Sequence, residues 1–345
     1  MGWLRKLLTC NQELQYTDKP RASRTFAPKL AAPSALTQPV RMRNLPPFSG
    51  TGVALITPFQ ADKSIDYPAL GRLIDYVIDG GVDYLVCLGT TGEAITLSAR
   101  ECREILDFTI RHTDERVPIV AGFFGGNYTE KLTGLIRDYN FDGVAGIMSS
   151  SPAYSKPPQE GIYQHFMRIA EVAPRPLIIY NVPGRTSSNV LPETILRISE
   201  EGGDRFAAVK EASGVLHQAV EILKHCRPDF AVLSGDDPLT AAMIAMGGHG
   251  GISVIANALP RQFSDMVRAA LASDFATARR LNFDQHDVHP LLYVENNPVG
   301  IKAAVSMLGL CENHLRVPLV PMTEVNREKL RRVLSRVPDF EVVLG

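Results

Sequence analysis

The chain has 345 residues, of which 45% are hydrophobic and 21% are charged, and its formal net charge is −1. This globular composition excludes collagen, coiled coil and global disorder, and no apolar run approaches the ~18 residues that a membrane span needs. Residues 1–45 carry a net charge of +6 and the remaining 300 residues carry −7, and such a mildly acidic body argues against a nucleic-acid partner.

The first 45 residues show no helical or strand period, and their apolar start is too short for a secretory signal. A basic segment is also typical of an organelle transit peptide, but Ser23 and Ser34 are its only serines. We expect a disordered extension, or a start codon assigned too early, and a cytoplasmic protein unless residues 1–45 prove to be a transit peptide. The five cysteines are widely spaced and predict neither a disulfide framework nor a Cys-x-x-Cys site.

From Gly52 onward, eight apolar runs follow one another at intervals of 20–34 residues. They are continuous rather than alternating in hydrophobicity, which is typical of parallel strands that are covered on both faces. The runs are Gly52–Pro58, Asp83–Gly89, Val117–Phe123, Gly143–Ser149, Pro176–Val182, Phe206–Ala212, Phe230–Gly235 and Gly250–Val254.

Helical patterns fill the intervals between these runs. Asp66 is expected to cap the first helix, which Gly80 and Gly81 end, and Ser98 with Glu101 forms a capping-box pattern at the start of the second. Four further helical patterns follow the eighth run: Phe263–Leu271, Phe275–Leu281, Val299–Leu308 and Val325–Leu334.

Eight successive βα units predict an α/β fold, a (β/α)8 TIM barrel with a C-terminal helical extension. Residues 46–258 would form the barrel strands and helices, and residues 259–345 the last barrel helix and the helical cap. A doubly wound open sheet is the alternative, but it does not need eight units, and the first βα turn lacks G-x-G-x-x-G. In a barrel, the active site lies at the C-terminal ends of the strands.

Polar residues follow the second and fifth predicted strands. Thr90 and Thr91 stand in the sequence GTTGE, a tight turn whose backbone N–H groups can bind an anion such as a carboxylate. Tyr180 can relay protons, and Arg185 can hold a carboxylate through two hydrogen bonds. A plain strand-to-helix turn, a packed tyrosine and a solvated arginine are the structural alternatives.

Lys210 stands within the sixth predicted strand, in the sequence AAVKEA. Inside a barrel, the low dielectric would disfavour the ammonium and lower the lysine pKa, leaving a neutral amine that can condense with a ketone. The alternative is an outward lysine that pairs with Glu211.

Two further features have simpler interpretations. The glycine-rich sequence Gly247–Gly251 precedes a strand, so a tight turn is expected there rather than a phosphate loop. His286 and His289 are three residues apart, but no third ligand accompanies them, so no metal site is predicted.

From about residue 48 to the C-terminus, the chain resembles the dihydrodipicolinate synthase/N-acetylneuraminate lyase family of class I pyruvate aldolases. Several motifs in order carry the resemblance: GTTGE (89–93), SPAYSKP (151–157), YNVPGRT (180–186), VKEASG (209–214), LSGDD (233–237) and GGHGGISV (247–254). The combination of GTTGE with an arginine at position 185 is similar to the synthase branch, because neuraminate lyases usually lack that arginine.

The resemblance implies a role for each candidate residue. Lys210 would form a Schiff base with pyruvate, and Tyr180 would exchange protons near the imine. Thr90 and Tyr154 would complete a hydroxyl relay with Tyr180, and Tyr154 would reach in from a neighbouring subunit. Thr91 would hold the pyruvate carboxylate, and Ile252 would contact pyruvate through its backbone. Arg185 would bind the carboxylate of the second substrate, L-aspartate 4-semialdehyde.

The resemblance also implies condensation of the two substrates in lysine (diaminopimelate) biosynthesis, with no cofactor or metal, in a homotetramer built as a dimer of dimers. A class I pyruvate aldolase or dehydratase acting on a sugar acid is the alternative. Ala153 departs from the tyrosine that many members carry at a dimer contact. Ala99 and Cys102 replace polar or His residues of feedback-inhibited members, although Glu130 matches an effector-site acid, so we expect weak or absent inhibition by lysine.

Overall fold

The structure is a computed structural model that describes residues 45–123, 126–338 and 340. Eight parallel strands pair in chain order, and the eighth pairs with the first, so the sheet closes into a barrel. The strands are β1 (Gly50–Ala54), β2 (Tyr84–Cys87), β3 (Ile119–Phe123), β4 (Gly146–Ser150), β5 (Leu177–Asn181), β6 (Phe206–Glu211), β7 (Ala231–Ser234) and β8 (Gly250–Ser253).

Helices follow the strands and continue beyond the last one. They are α1 (Tyr67–Asp79), α2 (Ala99–Thr113), α3 (Thr129–Asp138), α4 (Gln159–Ala170), α5 (Pro183–Thr186), α6 (Pro192–Gly202), α7 (Leu216–His225), α8 (Thr240–Ala245), α9 (Pro260–Leu271), α10 (Phe275–His286), α11 (Val288–Tyr293), α12 (Val299–Met307) and α13 (Glu324–Leu334).

The predicted (β/α)8 barrel with a C-terminal helical part is confirmed, and the doubly wound alternative is wrong because β1 and β8 are hydrogen-bonded neighbours. Each predicted strand overlaps an observed one. The helix starts are also as predicted: the Asp66 side chain accepts a hydrogen bond from Ala69 N at 2.9 Å, and Ser98 and Glu101 form both bonds of a capping box. Local side-chain chemistry is therefore sufficient to place these helix ends.

The hydrophobic core has two parts, divided by the strands. Apolar residues on the outer face of the sheet pack against the helices, and a smaller cluster fills the barrel interior. The interior cluster consists of Ala54, Tyr84, Val86, Val120, Met148, Ile178, Tyr180, Val182, Ala208, Ala231, Leu233 and Ile252. Since side chains alternate across each strand, every second residue of a strand contributes to this interior.

The N-terminal extension, the domain boundaries and the cysteines can be compared with the described residues only in part. The predicted extension 1–45 lies outside the described residues except for Leu45, and its boundary, like that at residue 258, stays a prediction. Within the described ranges, the four cysteines are free thiols: Cys87, Cys102, Cys226 and Cys311. Within the same ranges, no helix is long and apolar enough to cross a membrane.

The glycine-rich turn before β8 allows a matched test of barrel closure. Gly250 has φ of +137°, and a Cβ added there would lie 2.0 Å from the Gly50 carbonyl oxygen on the neighbouring strand. Gly247 also has a positive φ, +104°, but a Cβ added there would meet nothing within 4 Å.

We expect Gly250→Ala to lower the free energy of unfolding by about 3 kcal/mol, because backbone strain and a clash with backbone combine. Gly247→Ala should cost about 1 kcal/mol, from the strain alone. Urea unfolding followed by circular dichroism measures both, and equal losses would contradict the packing argument.

Candidate active site

Lys210 lies on β6 with its side chain inside the barrel, where only 5% of the residue is exposed. Burial lowers the pKa of its amine to about 8, an effect that the nearby Asp237 carboxylate partly opposes. Gly235 provides the space for the lysine, because a Cβ there would lie 3.0 and 3.1 Å from Lys210 Cγ and Cε. The alternative of an outward lysine paired with Glu211 is therefore wrong.

Glu211 instead points to the outer side of the barrel, where it is buried among amides. Its Oε2 accepts hydrogen bonds from Asn181 Nδ2 and Gln218 Nε2, both at 2.9 Å, and its Oε1 accepts one from Ser213 N at 2.7 Å. These donors hold the end of β6 against β5. The carboxylate thus fixes the strand that carries Lys210 without competing for its amine.

Tyr180 is the neighbour of Lys210 across the β5–β6 pair. The lysine Nζ lies 4.5 Å from the centre of the tyrosine ring, and the Thr90 side chain lies near the phenol hydroxyl. Burial raises the pKa of Tyr180, so at neutral pH its hydroxyl carries a proton. The structure thus brings together an amine and two hydroxyls, groups that can pass protons to and from a reacting carbon.

The GTTGE turn (residues 89–93) follows β2 and brings Thr91 to the same place. Thr91 is 2% exposed, and its hydroxyl accepts a hydrogen bond of 3.1 Å from Asn297 Nδ2. Within the turn, Gly92 N and Glu93 N donate to the carbonyls of Gly89 and Thr90 at 3.0 and 3.1 Å. The turn is thus closed on itself and also tied to the C-terminal helical part.

Arg185 belongs to α5, the single helical turn that follows β5. Its Nη2 donates to Asn296 Oδ1 at 3.2 Å and to the Asn297 carbonyl at 3.1 Å. Both acceptors come from the segment that precedes α12. The guanidinium is exposed toward the cavity and therefore keeps donors available for a carboxylate.

These groups share a cavity of about 410 Å³ at the C-terminal end of the barrel. The residues that line it are Ala54, Gly89, Thr90, Thr91, Met148, Tyr180, Val182, Arg185, Lys210, Ala212, Gly235, Asp236, Pro238, Val254, His286, His289, Pro290, Tyr293 and Asn297. Five of the seven predicted site residues are among them.

The other two predicted residues lie elsewhere. Ile252 is fully buried in the barrel interior and does not line the cavity. Tyr154 is 89% exposed, has φ of +66° and does not line the cavity of its own chain. Its side chain is thus free to contact another molecule.

His286 and His289, for which no metal site was predicted, form part of the cavity wall. Their ring centres are 6.4 Å apart, and His289 is 3% exposed. Burial lowers the pKa of His289 to about 4, so its ring is neutral near pH 7. Over the described part of the chain, no group of three or more His, Cys, Asp or Glu side chains is arranged to hold a metal ion.

Sequence reasoning did not single out Asn297, which connects Thr91 to Arg185, or Tyr293 and Asp236 in the cavity wall. Asn297 and Tyr293 belong to the helical cap, so a search restricted to strand ends could not find them. The Asn296–Asn297 pair before a proline was the one available signal, because such sequences favour turns. Asp236 was present in the LSGDD motif but received no role.

Known proteins share both the sequence and this architecture. Residues 47–337 match the Dihydrodipicolinate synthetase family. A 4-hydroxy-tetrahydrodipicolinate synthase from Parabacteroides distasonis is 48% identical over 290 residues, which cover 84% of this chain and 97% of that protein. One from Neisseria meningitidis serogroup B is 45% identical, over 84% and 98% of the two chains.

Comparison with solved structures points to the same family as comparison of the sequences. The crystal structure of dihydrodipicolinate synthase from Aquifex aeolicus matches with a TM-score of 0.81 and 39% identity, covering 84% of this chain and 99% of that one. The family match spans the barrel, the cavity and the helical cap. The chain therefore belongs to the Dihydrodipicolinate synthetase family.

Proposed function

We propose that this enzyme, a lyase, condenses pyruvate with L-aspartate 4-semialdehyde through a Schiff base on Lys210, in lysine (diaminopimelate) biosynthesis. The observation that carries the proposal is a buried lysine of lowered pKa beside Tyr180, in one cavity with an arginine. The relatives named 4-hydroxy-tetrahydrodipicolinate synthase, at 43–48% identity, support the choice of substrates.

The first step is imine formation. The neutral Lys210 amine attacks the keto carbon of pyruvate, and loss of water leaves a protonated imine. Tyr180 and Thr90 supply and remove the protons, while the GTTGE turn with Thr91 holds the carboxylate. The positive imine then makes the neighbouring methyl group acidic, and loss of a proton gives an enamine.

The second step forms the carbon–carbon bond. Arg185 binds the carboxylate of the semialdehyde and directs its aldehyde carbon to the enamine carbon. The amine of the bound semialdehyde then attacks the imine carbon, closes the ring and releases Lys210. No metal or cofactor takes part in this scheme, because the imine itself activates the carbon.

The sugar-acid aldolase alternative is less well supported. Its aldehyde substrate would present hydroxyl groups where Arg185 presents a guanidinium. Two asparagine contacts hold this guanidinium at the cavity, an arrangement that suits a carboxylate.

The exposure of Tyr154 supports an assembly in which this residue completes a partner's relay. Other exposed apolar side chains are also candidates for contacts between copies, including Ile95, Val215, Met246 and Phe283. We therefore propose a homotetramer, a dimer of dimers, in which Ala153 leaves the contact beside Tyr154 smaller. A solved relative at 35% identity is described as a monomeric variant, so assembly needs a direct test.

The expected weak or absent inhibition by lysine stays a prediction. Ala99 is exposed, Cys102 is half-buried, and the Glu130 carboxylate accepts a hydrogen bond from Arg168 Nε at 3.1 Å. Neither the alanine nor the cysteine side chain can bind a cationic effector through charge, and the Glu130 carboxylate already has a partner.

The lowered pKa of Lys210 predicts the pH dependence of imine formation with pyruvate alone. Because the neutral amine is the nucleophile, the rate should rise with pH and flatten above about 8. Borohydride quenching followed by mass spectrometry at successive times measures it. A midpoint near that of an ordinary lysine, about 10.4, would contradict the role of burial, and a wild-type enzyme without an adduct on Lys210 would refute the proposed function.

Arg185→Gln should separate the two substrates. We expect kcat/KM for the semialdehyde to fall about 100-fold, since a charge-assisted contact is lost, while imine formation with pyruvate stays within about threefold. Arg197→Gln, which removes surface ion pairs with Glu160 and Glu201 on the outer helices, is the matched control. Equal losses for both substrates would argue against a role for Arg185 in binding the semialdehyde.

A mixing experiment tests whether Tyr154 acts on a partner's site. Lys210→Ala and Tyr154→Phe should each be nearly inactive alone. If the residues come from different chains, one site in each mixed dimer has both, and reassembly of equal amounts should restore about a quarter of wild-type activity. No recovery, although mixed dimers are detected by mass spectrometry, would place Tyr154 outside the partner's relay.

A further inference from the structure

A second buried lysine lies outside the cavity, on α12. Lys302 is 0% exposed, and its ammonium donates to three acceptors. These are the Thr57 carbonyl at 2.8 Å, the His314 carbonyl at 2.9 Å and the Glu93 carboxylate in a short contact. All three ammonium protons therefore have partners, and each partner comes from a different segment.

Glu93 connects this lysine to the cavity. It is the last residue of the GTTGE turn, has φ of +53° and is 1% exposed. One carboxylate oxygen contacts Lys302, and the other accepts a hydrogen bond of 3.2 Å from Arg316 N. Because Glu93 N also donates to the Thr90 carbonyl at 3.1 Å, the position of the carboxylate constrains the turn beside Lys210.

Thr57, which follows β1, holds the same turn from the barrel side. Its carbonyl accepts from Lys302, and its hydroxyl donates to the Gly92 carbonyl at 2.6 Å. The GTTGE turn is thus held between the barrel and the C-terminal cap, and Lys302 is the group that both sides share.

A buried ion pair is a poor source of net stability, because desolvation costs about as much as the pair gains. Well-packed apolar residues in the same space would serve stability equally well. The pair instead fixes a position. Because the Lys302 ammonium is held by three acceptors, one of which is the Glu93 carboxylate, it restricts where Glu93, and therefore the turn, can lie.

We propose that Lys302 and Glu93 are positioning residues that align the GTTGE turn with the substrate carboxylate, and that the C-terminal cap acts on catalysis through them. This inference rests on the proposed function, since it assumes that pyruvate binds beside this turn. Neither residue lines the cavity, so both act through Thr90 and Thr91.

The test is the double variant Glu93→Gln/Lys302→Met, which removes both charges and leaves no unpaired ion. We expect the pyruvate concentration for half-maximal imine formation to rise at least tenfold, because displacement of a positioning group by about 1 Å can cost up to 100-fold. A merely structural pair would lower the fraction of folded enzyme and the adduct yield, but would leave that concentration unchanged.

Two other variants keep the test decisive. Glu328→Gln removes the ion pairs with Arg331 and Arg332 on α13, inside the cap but without contact to Glu93, Lys302 or Arg316, and should leave pyruvate binding unchanged. Thr57→Val removes only the hydroxyl bond to Gly92, and should raise the half-maximal pyruvate concentration about threefold or more even if the double variant fails to fold.

Imine formation in the wild type is measured in the same experiment, by borohydride trapping with pyruvate. An adduct in the wild type with weakened pyruvate binding in the double variant supports the inference, and weakened binding in Thr57→Val shows independently that the position of the turn sets pyruvate affinity. An adduct in the wild type with unchanged binding in every folded variant of the turn overturns the inference alone. Absence of an adduct in the wild type overturns the proposed function and the inference with it.

Discussion

The cost of burying charge in a closed barrel governs this molecule. A charged group taken from water into a low-dielectric interior must be neutralised, paired or surrounded by donors. The lowered pKa of Lys210 gives it a larger neutral fraction near neutral pH than an ordinary lysine has, whereas Lys302 is paired with Glu93. Glu211 is stabilised by amide donors from neighbouring segments. The same constraint therefore yields a reactive amine at one position and fixed supports at others.

Asp237 shows a further solution close to the reactive lysine. Its Oδ2 accepts hydrogen bonds from Val254 N and Ile255 N at 2.9 and 2.8 Å, just beyond β8. Burial raises the pKa of this carboxyl, while its charge opposes the lowering of the Lys210 pKa. The Asp237 carboxyl thus holds the backbone that follows β8 in place, and it limits how far burial can lower the pKa of Lys210.

The barrel and its helical cap contribute different parts of the site. Strands supply Lys210 and Tyr180, whose side chains meet because paired inward positions are neighbours across β5 and β6. The cap supplies Asn297, which bonds Thr91 and Arg185, and Lys302, which holds the turn at Glu93. The reactive groups are therefore on the rigid sheet, and the groups that hold substrate-binding residues come from outside it.

Much of this arrangement could be predicted from the chain alone. Continuous apolar runs gave the eight strands, and the side chains of Asp66 and Ser98 gave two helix starts, because these signals are local. Lys210 was identified because a charged residue amid small apolar ones needs an explanation. His289 was considered only for a metal site, which was rejected, and its place in the cavity wall was not foreseen, since nothing local shows that a helix after the last strand returns to the cavity.

The sequence by itself determined which residues are chemically suited to the reaction and the order in which strands and helices follow one another. Only the tertiary structure decided that Lys210 faces inward while Glu211 faces outward, that Tyr154 lies outside its own cavity, and that Lys302 connects the cap to the GTTGE turn. The physical reason is that a pKa, an ion pair and a cavity wall depend on groups brought together by barrel closure, in several cases more than 200 residues apart along the chain.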